Sequence, residues 1–345
     1  MAGRVVVTGS CGMLGDTLAR FLVDNGFDVV GADLRAPATP QRWTCRIADV
    51  RDTERMTALL KGADAVVHCA SALPSYPADA IQDVIVRGTT SVLTAARRAE
   101  AGRVVHISST AVYGLPSLVP TPEDHPREPV DVYGRAKTEA EEVAEKFRAD
   151  GMCVTIVRPK TFLGPGRMGL FAMLFEWARE GRNFPVLGSG NVRIQMLAIE
   201  DLVAAIATVL TAEQDAANDT YNIAAAEFGT LRTDFQAVLD AAGHGKRVVS
   251  LPQRPALAVL RLLERTKLSP VYGRLLHKLL ADSYVSIDKA RDRLGFRPQS
   301  SNVDAILRTF EWWRESTVAT APSRNGNTSR DAWRQGALSV AKVLF

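Results

Sequence analysis

Tyr133 and Lys137 stand four residues apart in Tyr133-Gly134-Arg135-Ala136-Lys137, inside a pattern that predicts a helix over 132–148. Four residues is about one helical turn, so the two side chains share a face. A phenol with an ordinary pKa of about 10 is a poor base near neutrality. An ammonium beside it favours the phenolate, which takes a proton from a substrate hydroxyl while hydride leaves the carbon. In reverse, the phenol protonates a developing alkoxide. Ser109 ends a predicted strand upstream of this helix, where its hydroxyl can bind the reacting oxygen. A Tyr-x-x-x-Lys pair on its own is usually a surface pair; order and context give this one meaning.

The context is a glycine loop, Thr8-Gly9-Ser10-Cys11-Gly12-Met13-Leu14-Gly15. It follows the predicted strand Arg4–Thr8 and opens a helix with Leu14, Leu18, Phe21 and Leu22 on one face. Glycine lets a diphosphate approach the backbone, and the helix N-terminus offers N–H groups and a positive dipole end. A second strand, 28–33, ends in Asp33, placed to accept from the hydroxyls of an adenosine ribose. A carboxylate there repels a 2′-phosphate and favours NAD, although Arg35 keeps NADP open.

These elements belong to a regular alternation. Apolar runs at 65–69, 104–107 and 154–157 are separated by helical patterns, notably 80–98 and 132–148. Alternation up to about residue 160 predicts an α/β fold, a doubly wound parallel sheet. Beyond Pro159 helices dominate, near 170–181, 200–211, 230–242, 255–265, 270–281 and 302–315. Extended pieces at 192–197 and 221–223 lie between them. The expected organisation is a cofactor domain over 1–160, with some later segments returning to it, and a smaller, mainly helical substrate lobe over 161–316. A linker with a short terminal helix, Trp333, Ala337, Val340, Ala341 and Leu344 at helical spacing, occupies 317–345.

The ordered set resembles the extended short-chain dehydrogenase/reductase family, and the likeness spans about residues 3–315. The resemblance implies a Rossmann-type sheet. It implies NAD contacts from Gly9, Cys11, Gly12, Met13, Leu14, Gly15, Asp33, Asp49, Val50, Ala70, Lys137 and Pro159. Asp49-Val50 matches the adenine-binding acid and its neighbour, and His68-Cys69-Ala70-Ser71 the segment lining the cofactor. Lys137 would also bind the nicotinamide ribose. On the substrate side it points to Ser71, Ser109, Thr110, Tyr133, Thr161 and Arg193.

The resemblance also bears on the reaction. Relatives that dehydrate sugars usually carry an acidic pair after the strand-end hydroxyl; Thr110 and Ala111 stand there, which disfavours elimination. Redox at a secondary alcohol remains. In the leading reading a nucleotide sugar is epimerised through a transient ketone, with Arg193 on the diphosphate as a bidentate donor. Three departures count against it. Thr161 and Ile85 stand where asparagine is common, and 280–284 lacks an Arg-x-Gly-Asp, leaving Arg274 and Lys278 as replacements. The alternative is an NAD(P)-dependent dehydrogenase of a hydrophobic alcohol, like the 3β-hydroxysteroid dehydrogenase branch, with its pocket walled by 255–263 and 275–280. A cofactor-sensing module would be expected to have lost the trio, which is intact.

Bulk properties agree. The chain has 345 residues, 46% of them hydrophobic, with a net charge of +4 and no dense basic block, so nucleic acid is not indicated. Four cysteines show neither metal-ligand spacing nor a disulfide framework and read as buried thiols of a reducing cytoplasm. The histidines have no metal-ligand pattern, and His68 and His106 read as core or wall residues. No apolar run is long enough to span a membrane, and the start at Met1 leaves no room for a signal peptide. A homodimer through the 80–98 and 132–148 helices is expected from the resemblance.

Overall fold

The computed structural model describes residues 3–166, 171–258 and 280–319. Its centre is a seven-stranded parallel sheet formed by β1 (Arg4–Thr8), β2 (Asp28–Asp33), β3 (Thr44–Ile47), β4 (Ala65–His68), β5 (Arg103–Ile107), β6 (Val154–Pro159) and β10 (Thr220–Ile223). The strand order is β10-β6-β5-β4-β1-β2-β3. Two-stranded pairs are made by β7 (Phe162–Leu163) with β9 (Leu197–Ala198), and by β8 (Phe184–Leu187) with β11 (Val248–Leu251).

Both faces of the large sheet are covered, which explains its unbroken runs of valine. Val5 and Val7 point toward α1 (Met13–Asp24) and α7 (Ile199–Thr211), while Val6 points to the opposite face. That second face carries α2 (Thr53–Leu60), α4 (Gly88–Arg98) and α5 (Val132–Ala149). In α1, Leu14, Leu18 and Leu22 form the buried stripe expected from their spacing. Strand order reverses between β1 and β4, and the carboxyl ends of this pair open the crevice where such sheets bind ligands.

A separate core joins α6 (Phe171–Arg179), β8, α9 (Leu231–Ala242), β11 and α11 (Asn302–Ala319) around Phe175, Trp177, Phe235 and Phe310. Between α7 and α9 lie α8 (Gln214–Ala217) and β10; α10 (Asp288–Leu294) packs back on β10.

Several expectations need correction. The 221–223 piece, read among the lobe's helices, is the edge strand of the large sheet, paired with β6 from Thr220↔Ile156 to Ile223↔Pro159. The 80–98 helix begins at Ala78 and contains a π-helical stretch, Asp83–Arg87, between α3 (Ala78–Gln82) and α4. Over 192–197 only Leu197 lies in a strand; Arg193 and Ile194 make single bridges, to Thr230 and Ser283. The helix from 302 continues through Ala319, where a linker was expected. The other tail residues, most of the 255–265 and 270–281 helices, Arg274 and Lys278 lie outside the described residues. Of the four thiols only Cys153 is buried; Cys11, Cys45 and Cys69 are half-buried.

Candidate active site

The cofactor end is built by backbone contact. Gly9 has φ 66° and its N–H donates 2.8 Å to the Ala32 carbonyl. A Cβ on Gly9 would lie 2.8 Å from the Ala70 backbone, and one on Gly15 would lie 2.1 Å from the Gly9 carbonyl oxygen. The loop therefore tolerates no side chain at either position. Helix α1 starts after Gly12 with no side chain capping it, so its first N–H groups and dipole face the crevice. Asp33 reaches back to the loop: its Oδ2 accepts from the Cys11 N–H at 2.9 Å and its Oδ1 from the Arg35 N–H at 3.2 Å. Glycine cradle, uncapped helix start and carboxylate suit a dinucleotide's diphosphate and adenosine ribose.

Around this frame, Met13 and Leu14 are core residues that anchor α1. The Ala70 N–H is 3.3 Å from the Thr8 hydroxyl. Val50 is buried with its methyl against Gly88. Asp49 is engaged by Arg51, 2.5 Å away, which holds its carboxyl below the usual range; Arg51 also pairs with Asp83. Cys11 Sγ lies 4.0 Å from Cys45 Sγ. Burial, then the charge of Asp33, push the Cys11 thiol up to about 12.

The reactive end lies where β5 meets α5. Strand β5 stops at Ile107, two residues before the expected end, and Ser109 instead caps the single 3-10 turn Thr110–Tyr113. The Ser109 Oγ accepts from the Ala111 N–H at 3.1 Å, which leaves its own proton available for a ligand oxygen. Asp131 caps α5 by accepting from the Gly134 N–H at 2.7 Å. Tyr133 is half-buried in the first turn and Lys137 is buried one turn on. Lys137 Nζ donates 2.8 Å to the Ile107 carbonyl and lies 5.9 Å from the centre of the Tyr133 ring. A Cβ on Gly134 would stand 2.8 Å from the Ala111 carbonyl oxygen, so only glycine lets α5 press this closely on the Ser109 turn. The expected trio is thus gathered at one place. Burial brings the Lys137 ammonium down to about 8, against the pull of Glu141 and Cys69.

On the substrate side Ser71 and Thr161 are exposed, and Thr110 is half-buried beside Ser109. The Arg193 guanidinium lies over two neighbouring rings, 4.8 Å from Phe228 and 5.0 Å from Tyr284, whose centres are 5.3 Å apart. The Arg193 N–H donates 2.8 Å to Asp282.

The model of the NAD dependent epimerase/dehydratase family matches residues 5–224, from β1 through β10. The chain belongs to this family. Like the family, it is an NAD-dependent enzyme. It is 33% identical to protein y4nG of Sinorhizobium fredii, over 92% of this chain and 81% of that one. It is 28% identical to a 3 beta-hydroxysteroid dehydrogenase/Delta 5-->4-isomerase of Mycobacterium tuberculosis, over 90% of each chain. It is 27% identical to a UDP-glucose 4-epimerase of Mycolicibacterium smegmatis, over 91% of this chain and 99% of that enzyme. Its fold matches the crystal structure of UDP-glucose 4-epimerase from Thermotoga maritima with TM-score 0.76 at 21% identity, covering 91% and 99% of the chains.

Other residues of this family member support the site, and Glu141 among them was not singled out from the sequence. Glu141, fully buried, accepts from Ser108, from Arg127 at 3.1 Å, and from Arg158 at 2.9 and 2.7 Å. Arg158 also donates 2.7 Å to the Tyr113 hydroxyl, which donates 2.9 Å to Asn222. This network ties α5 to β5, β6 and β10. Its signal was in the sequence: Glu141 is four residues after Lys137 and shares its inward face. His68 and His106 form a buried cross-strand pair with ring centres 5.7 Å apart. His68 is held by the Thr8 hydroxyl at 2.7 Å.

Proposed function

We propose that the enzyme epimerises a nucleotide sugar through a transient ketone on the sugar ring. The supporting observation is the convergence of the Ser109 turn, Tyr133 and Lys137, with no acid following Ser109-Thr110 to drive elimination. NAD, when bound, would supply the hydride-transfer chemistry. Tyr133 moves the proton of the sugar hydroxyl. Lys137, fixed by the Ile107 carbonyl, supplies the positive charge that favours the phenolate. Ser109 donates to the reacting oxygen, its lone pair already taken by Ala111. Gly9, Cys11, Gly12, Met13, Leu14 and Gly15 carry the diphosphate, and Asp33 carries the adenosine ribose. Asp49, Val50, Ala70 and Pro159 line the rest, and Lys137 adds the nicotinamide ribose. Ser71, Thr110 and Thr161 border the sugar, and Arg193, steadied by its two rings, faces the nucleotide's diphosphate.

In this reading residues 1–160 with α7, β10 and α10 form the cofactor domain, and the rest of 161–316 forms the substrate lobe. A homodimer through α4 and α5 and a cytoplasmic setting belong to the same proposal. No helix among the described residues is long and apolar enough to cross a membrane.

The test starts with protein purified without added cofactor. Denaturation should release close to one NAD per chain, read by mass spectrometry. NMR should then show a UDP- or dTDP-sugar converted to its epimer. Tyr133→Phe should lower kcat by about 10²–10⁴-fold with NAD retained. Near-normal turnover in that variant removes Tyr133 from the mechanism. Net reduction of added NAD⁺ by a hydrophobic alcohol, without epimerisation, replaces this reading with the dehydrogenase one.

A further inference from the structure

Cys45 is the register partner of Gly31 and lies on the edge strand β3. Gly31 leaves the face they share bare, and a Cβ there would stand 2.5 Å from the Ser10 hydroxyl. The glycine loop therefore lies directly over β2, and its side chains reach Cys45 across it. Ser10 Oγ is 3.8 Å from Cys45 Sγ, and Cys11 Sγ is 4.0 Å from the same sulfur. Both sulfurs gather on the Arg35 carbonyl, 3.2 Å from Cys11 and 4.0 Å from Cys45. Neither thiol is sealed in the core, since both residues are half-buried. A disulfide needs about 2.05 Å between its sulfurs, so the pair must close by about 2 Å. Cys11 is also the residue whose N–H donates 2.9 Å to Asp33. A bond from Cys11 to β3 thus acts on loop and carboxylate together.

We propose that Cys11 and Cys45 form a reversible disulfide that weakens NAD binding, with a low-molecular-weight disulfide of the glutathione type as the oxidant. The step begins at the Cys45 thiolate, which attacks one sulfur of the oxidant and expels a thiolate. The Cys11 thiol gives its proton to water and attacks the Cys45 sulfur of the mixed disulfide, expelling the second thiolate. Two protein thiols are oxidised, and one small disulfide is reduced to two thiols. Burial, then the charge of Asp33, push the Cys11 thiol up to about 12, which makes it the slower nucleophile and gives Cys45 the first attack. Closing the bond takes the Cys11 S–H from the Arg35 carbonyl and draws the loop toward β3, away from the position in which it meets Asp33. NAD and the disulfide therefore oppose each other, whichever substrate the enzyme turns over.

The test equilibrates the full chain with glutathione buffers of rising oxidised fraction, with and without saturating NAD. Peptide mapping by mass spectrometry reads which sulfurs are joined, and equilibrium dialysis against labelled NAD reads affinity. The oxidised protein should carry a Cys11–Cys45 bond and bind NAD about tenfold more weakly, with dithiothreitol restoring it. Linkage then requires saturating NAD to make the bond easier to reduce by the same factor, a shift of about 30 mV toward more oxidising potential. Cys45→Ser should bind NAD as reduced wild type does, in both buffers. Wild-type mapping and dialysis decide the matter even if that variant does not fold. Sulfurs that stay free, a bond to Cys69 or Cys153 instead, or a glutathione adduct on Cys45 that Cys11 never displaces would each overturn the proposal. So would a Cys11–Cys45 bond that leaves NAD affinity unchanged.

Discussion

Lys137 sits at a compromise between burial and charge. Its ammonium is 3% exposed and rests on the Ile107 carbonyl, with Glu141 one turn away on α5. Burial lowers its pKa from 10.5 to about 8, and Glu141 and Cys69 oppose that shift. The direction has two consequences of opposite sign. Between about 8 and the unfolded value, the folded protein holds a neutral amine while the unfolded chain stays charged, so this residue's contribution to stability rises with pH. Over the same range the cation that supports the Tyr133 phenolate disappears. The kcat/KM profile, which reports the free enzyme, should therefore show an alkaline limb centred near pH 8. Denaturation midpoints measured alongside would show that activity is lost from a folded protein. A profile that stays flat to pH 9.5 would remove Lys137's charge from the rate.

At the scale of elements, β4 and β5 carry an unusual pair. His68 and His106 are in register, both buried on the face covered by α4 and α5. Neither ring nitrogen of His106 finds a partner among the described residues. Burial, followed by the charge of Lys137, keeps both rings neutral, His68 down at about 3 and His106 well below its ordinary value. An unfolded histidine takes a proton below about pH 6.5. The folded state therefore loses stability as pH falls through that value, by up to ~1.4 kcal/mol per pH unit for each ring. Asp234, its carboxyl raised by burial to about 6, pushes the other way, so the whole protein's acid limb mixes both. The difference between wild type and His106→Leu isolates the ring. The variant should be the more stable at pH 7.5, and its advantage should grow by more than ~1 kcal/mol at pH 5.5, read from urea midpoints. A constant difference would mean that His106 takes up its proton alike in the folded and unfolded states. The strands themselves were legible because β-branched runs bounded by glycine leave little choice: the first strand was expected over Arg4–Thr8 and is found there. The π-helical insertion at Asp83–Arg87 was not, since a pattern of apolar spacing does not distinguish one extra residue in a turn.

Across the whole molecule, legibility falls off with sequence distance. The trio and the glycine loop could be read because their partners are near in the chain or joined by a regular strand-helix repeat. Residues 193, 228 and 284 meet through pairings that no local pattern announces, and Lys160 joins Ser283 across the same gap. That some later segments return to the first domain was expected, but not that β10 is one of them: four residues, Thr220–Ile223, carry no pattern that ties them to either domain. One side chain binds much of this distant assembly together. Asn302, fully buried at the start of α11, donates 2.8 Å to the Ile194 carbonyl and 2.7 Å to Asp234 on α9, and accepts 2.8 Å from the Met196 N–H. It thus holds the segment that runs from Arg193 into β9. Asn302→Ala strands a carbonyl, a carboxylate and an N–H away from water, each an expensive loss, and should cost about 2–4 kcal/mol. Because the glycine loop is untouched, bound NAD should be retained at the wild-type level, while KM for the sugar nucleotide rises several-fold as the Arg193 segment loosens. An unchanged KM in a destabilised protein would separate the second core from the site, and leave Arg193 positioned by its aromatic neighbours and its main-chain bonds to Asp282 and Ser283.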